Sequence, residues 1–343
     1  MDCKQVLFAL TQAVGVSGAE QTASAYALSV LSHYASDARM DSFGNVTGTV
    51  GTSDPAKPTL LLDAHIDEIG LIVTYVDEAG FVKVGSCGGV DRRLLLAQQV
   101  TIHGTQPVTG VICSKPPHLE KGDEHKKVPE IDAIAIDTGY SREQLEGLIA
   151  PGDRVTLHTT TKDLLNGRVT GKSMDDRSGV AAILYALELL KDAERPFNLT
   201  VLFSAQEEVG SAGAHVAAYT IAPDYAIAID VSFAHSNDTP EHKCGKMGEG
   251  PMIGVSPTLS AAMSDRLIAL AKAQGLPYQI EVMPGRTSTN ADAIGVTKGG
   301  ARTATVSIPL RYMHTPVETL ALADIEATAQ LLCAYAKEGI PNA

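Results

Sequence analysis

Histidine and carboxylate side chains recur along this chain in the order His65-x-Asp67, Asp175-Asp176, Glu207-Glu208, Asp230 and His314, most of them where an apolar run stops. Nitrogen and oxygen donors of these types bind divalent cations. A hydrolase holding two such ions side by side needs a set of this kind, with one carboxylate left over as a base. His65 can coordinate through one ring nitrogen while Asp67, two positions on, hydrogen-bonds the other, fixing the tautomer. Asp175-Asp176 precedes a helical pattern in GKSMDDRSG. Aspartate there caps a helix N-terminus, while in the metal reading Asp175 bridges two cations and Asp176 holds the turn; both roles can coexist. Glu207-Glu208 closes the run TVLFSAQEE, where two adjacent glutamates are costly unless neutralised. One can coordinate while the other takes a proton from water. Asp230 closes AIAID and reads as an acidic ligand of the same kind, with a solvated strand end as the alternative; taken singly, His314 reads as a turn residue. The histidines at 103, 118, 125, 158, 215, 235 and 242 show no comparable placement and receive no role.

The elements that must position these residues fall into two regimes. The first 70 residues read as an amphipathic helix, a strand within ARMDSFGNVTGTV and an apolar strand in PTLLLDAHID. Short β-branched runs between glycines follow, LIVTYV, FVKVGS, QVTIHG, VTGVICS, IDAIAIDTG and GDRVTLHTT, with an exposed loop at 115–130. From Arg168 onward apolar strands alternate with helices: a buried helix in SGVAAILYALELLKD, strands in NLTVLFSAQEE, PDYAIAIDV and RTATVSIPL, and a last helix from about Val317 to Lys337. This pattern predicts an α/β fold with a mixed sheet covered by helices on both faces and an inserted small β-barrel-like domain. The expected boundaries are residues 1–71 and 166–343 for a discontinuous catalytic domain and 72–165 for the insert. In open α/β sheets ligands bind at the carboxyl ends of the strands, and LLLDAHID, LFSAQEE, AIAID and SIPLRYMH would deliver their terminal residues to one such rim.

Composition narrows the partners. With 27 basic against 40 acidic residues the net charge is −13, which argues against nucleic acid or an anionic membrane and suits a chain that gathers carboxylates around cations. The five cysteines, Cys3, Cys87, Cys113, Cys244 and Cys333, form no Cys-x-x-Cys pair and are odd in number. A reducing compartment and a cytoplasmic location are expected. The N-terminal apolar stretch is interrupted by polar residues and reads as a helix rather than a signal peptide.

The stretches LLDAHIDEIG, TGKSMDDRSG, SAQEEVGSAGA, AIAIDV and SIPLRYMHTPVET, in this order and spread over nearly the whole chain, resemble the glutamyl and deblocking (TET-type) family of dinuclear metallo-aminopeptidases. The resemblance implies an aminopeptidase that releases the N-terminal residue of peptides with a free N-terminus. It implies His65 and Asp230 as ligands of one metal, Glu208 and His314 as ligands of the other, Asp175 as the bridge, Glu207 as general base, and Asp67 as the residue orienting His65. The cofactors would be two divalent ions per subunit, zinc or cobalt. The insert would serve dimerisation, with homo-oligomers growing to a dodecamer. Asn290 departs from the acidic residue expected after Thr289, and the stretch following Asp230 matches less clearly. Arg286 is a candidate for selecting acidic side chains. The competing readings are a metal-dependent carboxypeptidase or deacylase, a carboxylate-pair glycosidase, which would need no metal, and a non-catalytic metal store.

Overall fold

The computed structural model describes residues 1–120, 122, 127–191, 193–237 and 239–339. His125 and its neighbours in the expected 115–130 loop lie outside the described residues, as does Asp192 at the end of the run 178–192.

Helix α1 (Cys3–Gln12) begins at Asp2, whose side chain accepts the backbone N–H of Gln5 and caps the helix. A second helix, α2 (Gln21–Leu31), follows where the sequence suggested none. Its buried stripe is Ala23, Ala27 and Leu31, mostly too small to stand out as an apolar face. Residues 38–50 are two short strands rather than one, β1 (Arg39–Met40) and β2 (Val46–Val50). Between them the Asp41 carboxylate accepts from the backbone of Phe43 and Asn45, which turns the chain. The apolar strand β3 (Thr59–His65) then leads to the insert.

Strands β4 (Gly70–Val76), β5 (Val82–Cys87), β6 (Gln99–His103), β7 (Pro107–Ile112), β8 (Ala135–Asp137) and β9 (Arg154–Leu157) close into a barrel in the order β4-β5-β8-β7-β6-β9, with the one-turn helix α3 (Arg142–Leu145) before its last strand. The barrel has its own core, including Leu71, Val84, Val100, Ile102, Ile136 and Val155. Closure removes the exposed strand edges that so small a sheet would otherwise present.

The chain continues through β10 (Lys162–Asp163), β11 (Arg168–Gly171), α4 (Met174–Leu190), β12 (Asn198–Ser204), α5 (Ala212–Ile221), β13 (Tyr225–Phe233), β14 (Met252–Val255), α6 (Ala261–Gln274), β15 (Gln279–Val282), α7 (Asn290–Gly295), β16 (Arg302–Leu310), β17 (Glu318–Ala321) and α8 (Leu322–Glu338). The main sheet runs β1-β2-β12-β3-β13-β16-β14-β15, and its four central strands are mutually parallel. A small sheet β10-β11-β17 stands beside it. The last helix starts at Leu322, not at Val317: residues 318–321 pair antiparallel with β11 instead. All four of those residues are buried, and extended backbone lets the Glu318 carboxylate accept the backbone N–H groups of both His314 and Asp175.

Side chains of the central strands alternate between two cores, as a period of two requires. Leu60, Leu62 and Ala64 of β3, Leu199, Val201 and Phe203 of β12, and Ile227, Ile229 and Val231 of β13 pack in the large core with α1, α2, α4, α6 and α8. Leu61, Leu202 and Ala226 point the other way, into a smaller core with α5 and α7. This second layer ends before the strands do. Continuing the alternation from Leu61 through Asp63 to His65, and from Ala226 to Asp230, places the chemically active residues on the thin-layered face just past its cover.

Candidate metal centre

Five segments converge at this end of the sheet. His65 is the last residue of β3, and Asp230 lies on the same face of β13. Asp230 does not end its strand as the sequence suggested: pairing with β16 continues to Phe233 opposite Leu310. Beyond β12 the backbone turns through Gln206, at φ 59°, into Glu207 and Glu208. Asp175 sits in the non-helical first residues of α4. Asp176 caps the helix proper, its carboxylate accepting the N–H of Gly179 at 3.0 Å; the Asp175–Asp176 peptide bond is cis. His314 occupies the loop after β16 at φ 63°.

Asp175 stands at the centre. One of its carboxylate oxygens is 3.0 Å from His65 Nε2 and the other 3.3 Å from His314 Nε2. His314 Nε2 is also 3.3 Å from Glu208 Oε2. Two groups of ligand atoms result, His65–Asp175–Asp230 and Asp175–Glu208–His314, each with all its atoms within 4.8 Å of one another. The two groups share Asp175, and Glu207 belongs to neither. Thus the chain brings the five expected ligand residues together with the leftover glutamate beside them.

Each histidine is held from behind. The Nδ1 of His65 faces Asp67, 3.1 Å from its backbone oxygen and 3.4 Å from its carboxylate. That carboxylate also accepts from Ser17 Oγ at 2.6 Å and from the backbone N–H groups of Glu207 at 2.9 Å and Glu208 at 3.2 Å. Asp67 therefore positions the glutamate loop as well as His65. The Nδ1 of His314 is 3.0 Å from the carbonyl oxygen of Gly89, supplied by the barrel. Gly89 has to be glycine for this contact, since a Cβ there would lie 2.6 Å from that nitrogen.

The electrostatics indicate what kind of ligand the cluster suits. Burial opposes ionisation of Asp175, but hydrogen bonds from His314 and His65 hold its carboxyl well below the usual carboxylate range. Hydrogen bonds to Asp175 and Glu208 raise His314 to about 11. For His65 burial works the other way, yet Asp175 and Asp67 outweigh it and leave the imidazole well above its ordinary value. Burial and mutual repulsion push Asp176, Glu208, Asp230 and Glu318 upward. Burial takes Glu207 to about 7, the neighbouring carboxylates adding to this against the pull of His65. Crowding Asp175, Asp176, Glu208, Asp230 and Glu318 in one buried region concentrates negative charge, which divalent cations would neutralise. The mixed nitrogen and carboxylate donor set fits such cations.

Sequence reasoning missed several supporting residues. Glu318, 1% exposed, ties the His314 loop to the backbone of Asp175. Glu68, the residue after Asp67, accepts from Lys172 Nζ at 2.6 Å, from Ser173 Oγ and from the N–H of Gly15 at 3.0 Å. The fully buried Arg177 donates to the carbonyls of Leu10 and Ala13, fastening α1 against α4. Neither carries a signal in the sequence: Arg177 stands among polar residues in GKSMDDRSG, and Glu318 at the head of a helical pattern. Asn290 does not line the site: its amide donates to Asp63 at 2.9 Å and Ser204 at 2.7 Å, behind His65. Arg286 is exposed, 3.9 Å from Asp292, and lines an adjoining cleft together with Glu207 and His215.

The profile of the M42 glutamyl aminopeptidase family matches residues 44–331. The lysyl aminopeptidase of Pyrococcus furiosus is 31% identical over 335 residues, covering 96% of this chain and 95% of that one. An aminopeptidase of the archaeon Desulfurococcus kamchatkensis has a similar structure, with a TM-score of 0.91, 32% identity, and 98% and 95% of the two chains covered. The TET1 peptidase of Pyrococcus horikoshii, described as assembling into a tetrahedron or a large octahedral shell, superposes with a TM-score of 0.87 at 31% identity, covering 98% of this chain and all of that one. Sequence and structure thus agree over nearly the full length of the chain, which belongs to the M42 glutamyl aminopeptidase family and is an aminopeptidase.

Proposed function

We propose that this aminopeptidase removes the N-terminal residue of peptides at a site for two divalent cations, with His65 and Asp230 on one, Glu208 and His314 on the other, and Asp175 between them. The observation that carries this reading is Asp175, whose two oxygens face two different histidines at 3.0 and 3.3 Å. Family membership brings divalent-metal use with it; the mixed donor set favours zinc or cobalt. Bound at these ligands, the cations would supply Lewis acidity to the scissile carbonyl and make water acidic enough to be deprotonated near neutral pH.

The chain's own contribution is proton transfer and positioning. Glu207 accepts a proton from the attacking water and returns it to the leaving amine. Its carboxylate is outside both ligand groups, and its backbone is pinned by Asp67. Asp67 also sets the orientation of His65, through which it acts on the reaction without touching substrate. A free α-amino group would offer its lone pair to one of the cations, which an N-acylated nitrogen cannot do.

The barrel, roughly residues 72–165, is the proposed dimerisation domain of a catalytic domain built from 1–71 and 166–343. Dimers assembling to a dodecamer are in keeping with the shells described for the Pyrococcus horikoshii relative. Five free cysteines fit a reducing, cytoplasmic setting; among the described residues no helix is long and apolar enough to cross a membrane.

Titrating metal-stripped protein with zinc or cobalt tests the reading. Hydrolysis of a free peptide should rise until two ions are bound per chain. Full activity at one ion per chain, or after complete removal of metal, would contradict it.

A further inference from the structure

We propose that Glu281 makes this enzyme prefer a basic N-terminal residue, lysine or arginine, by receiving its side-chain cation within the active-site cavity. The proposal rests on the aminopeptidase reading above. The cavity, about 380 Å³, is lined both by the metal-centre residues and by Glu281. Sheet register connects them. Asp230 on β13 pairs with Ser307 on β16, Ser307 with Met252 on β14, and Met252 with Gln279 on β15, two residues before Glu281. Residues two apart on a strand share a face, so Glu281 projects from the same face of the sheet as Asp230, and its carboxylate reaches Ser307, the registered partner of Asp230.

Glu281 is fixed but uncompensated. Ser307 Oγ donates to one of its oxygens at 2.7 Å and Ser232 Oγ to the other. Each hydroxyl spends its single proton there, leaving further acceptor capacity on both oxygens. Among the described residues lining the cavity there is no lysine or arginine. A carboxylate held at a cavity wall without a cation favours a ligand that brings one. Met283 and Met313 border the same cavity and suit the methylene stem of a long basic side chain. An acidic side chain would meet like charge, and an aliphatic one would desolvate Glu281 without pairing it. Arg286, the residue that could favour acidic substrates, lies in the adjoining cleft beside Asp292.

The test is kcat/KM of the metal-loaded enzyme on lysyl, arginyl, leucyl and glutamyl chromogenic amides, for wild type, Glu281→Gln and Glu281→Lys. Wild type should favour lysyl and arginyl substrates. Removing one partner of a paired charge predicts that Glu281→Gln lowers the lysyl-to-leucyl ratio by about 30-fold or more. Glu281→Lys should raise the glutamyl-to-lysyl ratio, a gain that misfolding cannot imitate. Equal losses on all four substrates in Glu281→Gln would overturn the proposal, since Glu281 would then serve the α-amine or the strand. A wild-type preference for leucyl or glutamyl substrates would also overturn it while leaving the aminopeptidase reading intact. No hydrolysis of any of the four by loaded wild type would refute both.

Discussion

Replacing Glu207 with glutamine separates catalysis from metal binding. Glutamine keeps the size of the side chain and leaves the backbone N–H of residue 207 on Asp67, at 2.9 Å in the native protein. The neighbouring N–H of Glu208 still reaches Asp67 at 3.2 Å, so the loop that presents Glu208 keeps its anchor. Neither ligand group includes Glu207. The expected metal content is therefore unchanged at two ions per chain. What disappears is the group that moves the proton. General acid–base catalysis is worth about 10²- to 10⁴-fold, or roughly 3 to 5 kcal/mol in the activation barrier. The loss should fall on kcat, because the amide removes a contact needed only as the proton transfers. The assay pairs elemental analysis with steady-state hydrolysis of a free-N-terminal amide. Wild-type turnover would remove Glu207 from the base role, and loss of one ion would make it a ligand instead.

Three further outcomes follow from the same geometry. Gly89→Ala puts a methyl group 2.6 Å from His314 Nδ1, so the His314 ion should be lost first on dialysis; retention of both ions would show that the barrel contact is dispensable. Metal-stripped protein should become less stable as pH rises. Glu207 at about 7 binds a proton in the fold that the unfolded chain, near 4.5, has released, so about 3 kcal/mol disappears between those values. Loss of the His314 contribution begins at 6.5, extends toward 11 and has the same sign; urea midpoints of stripped protein rising from pH 5 to 8 would contradict this. Arg177→Ala strands the carbonyls of Leu10 and Ala13 and the adjacent Glu68, which should cost about 3 kcal/mol or more in denaturant unfolding. A change under 1 kcal/mol would show that α1 is held by apolar packing alone.

The strand ends were legible because an apolar run terminated by His or a carboxylate is costly unless the polar residue has a task. LLLDAHID and LFSAQEE carry that signal on their surface, and the residues they deliver do meet. The barrel was equally readable from short β-branched runs between glycines. What escaped has specific causes. Glu318 lies just ahead of a long helical pattern and reads as its first turn, while its extended backbone depends on β11, nearly 150 residues earlier. Gly89 acts through a carbonyl oxygen, which no side-chain pattern reports. Helix α2 buries two alanines, a serine and one leucine, too small a set to announce a core face. Glu281 alternates on an edge strand like any solvated glutamate, and its place in the cavity appears only when β14 and β15 are laid beside β16.

The most direct measurement is amino-acid release from matched free and N-acetylated peptides by metal-stripped protein reloaded with zinc, cobalt or manganese. Release confined to free N-termini and restored by metal is the predicted result. Cleavage of acetylated peptides, or undiminished cleavage without metal, would contradict the account at its centre.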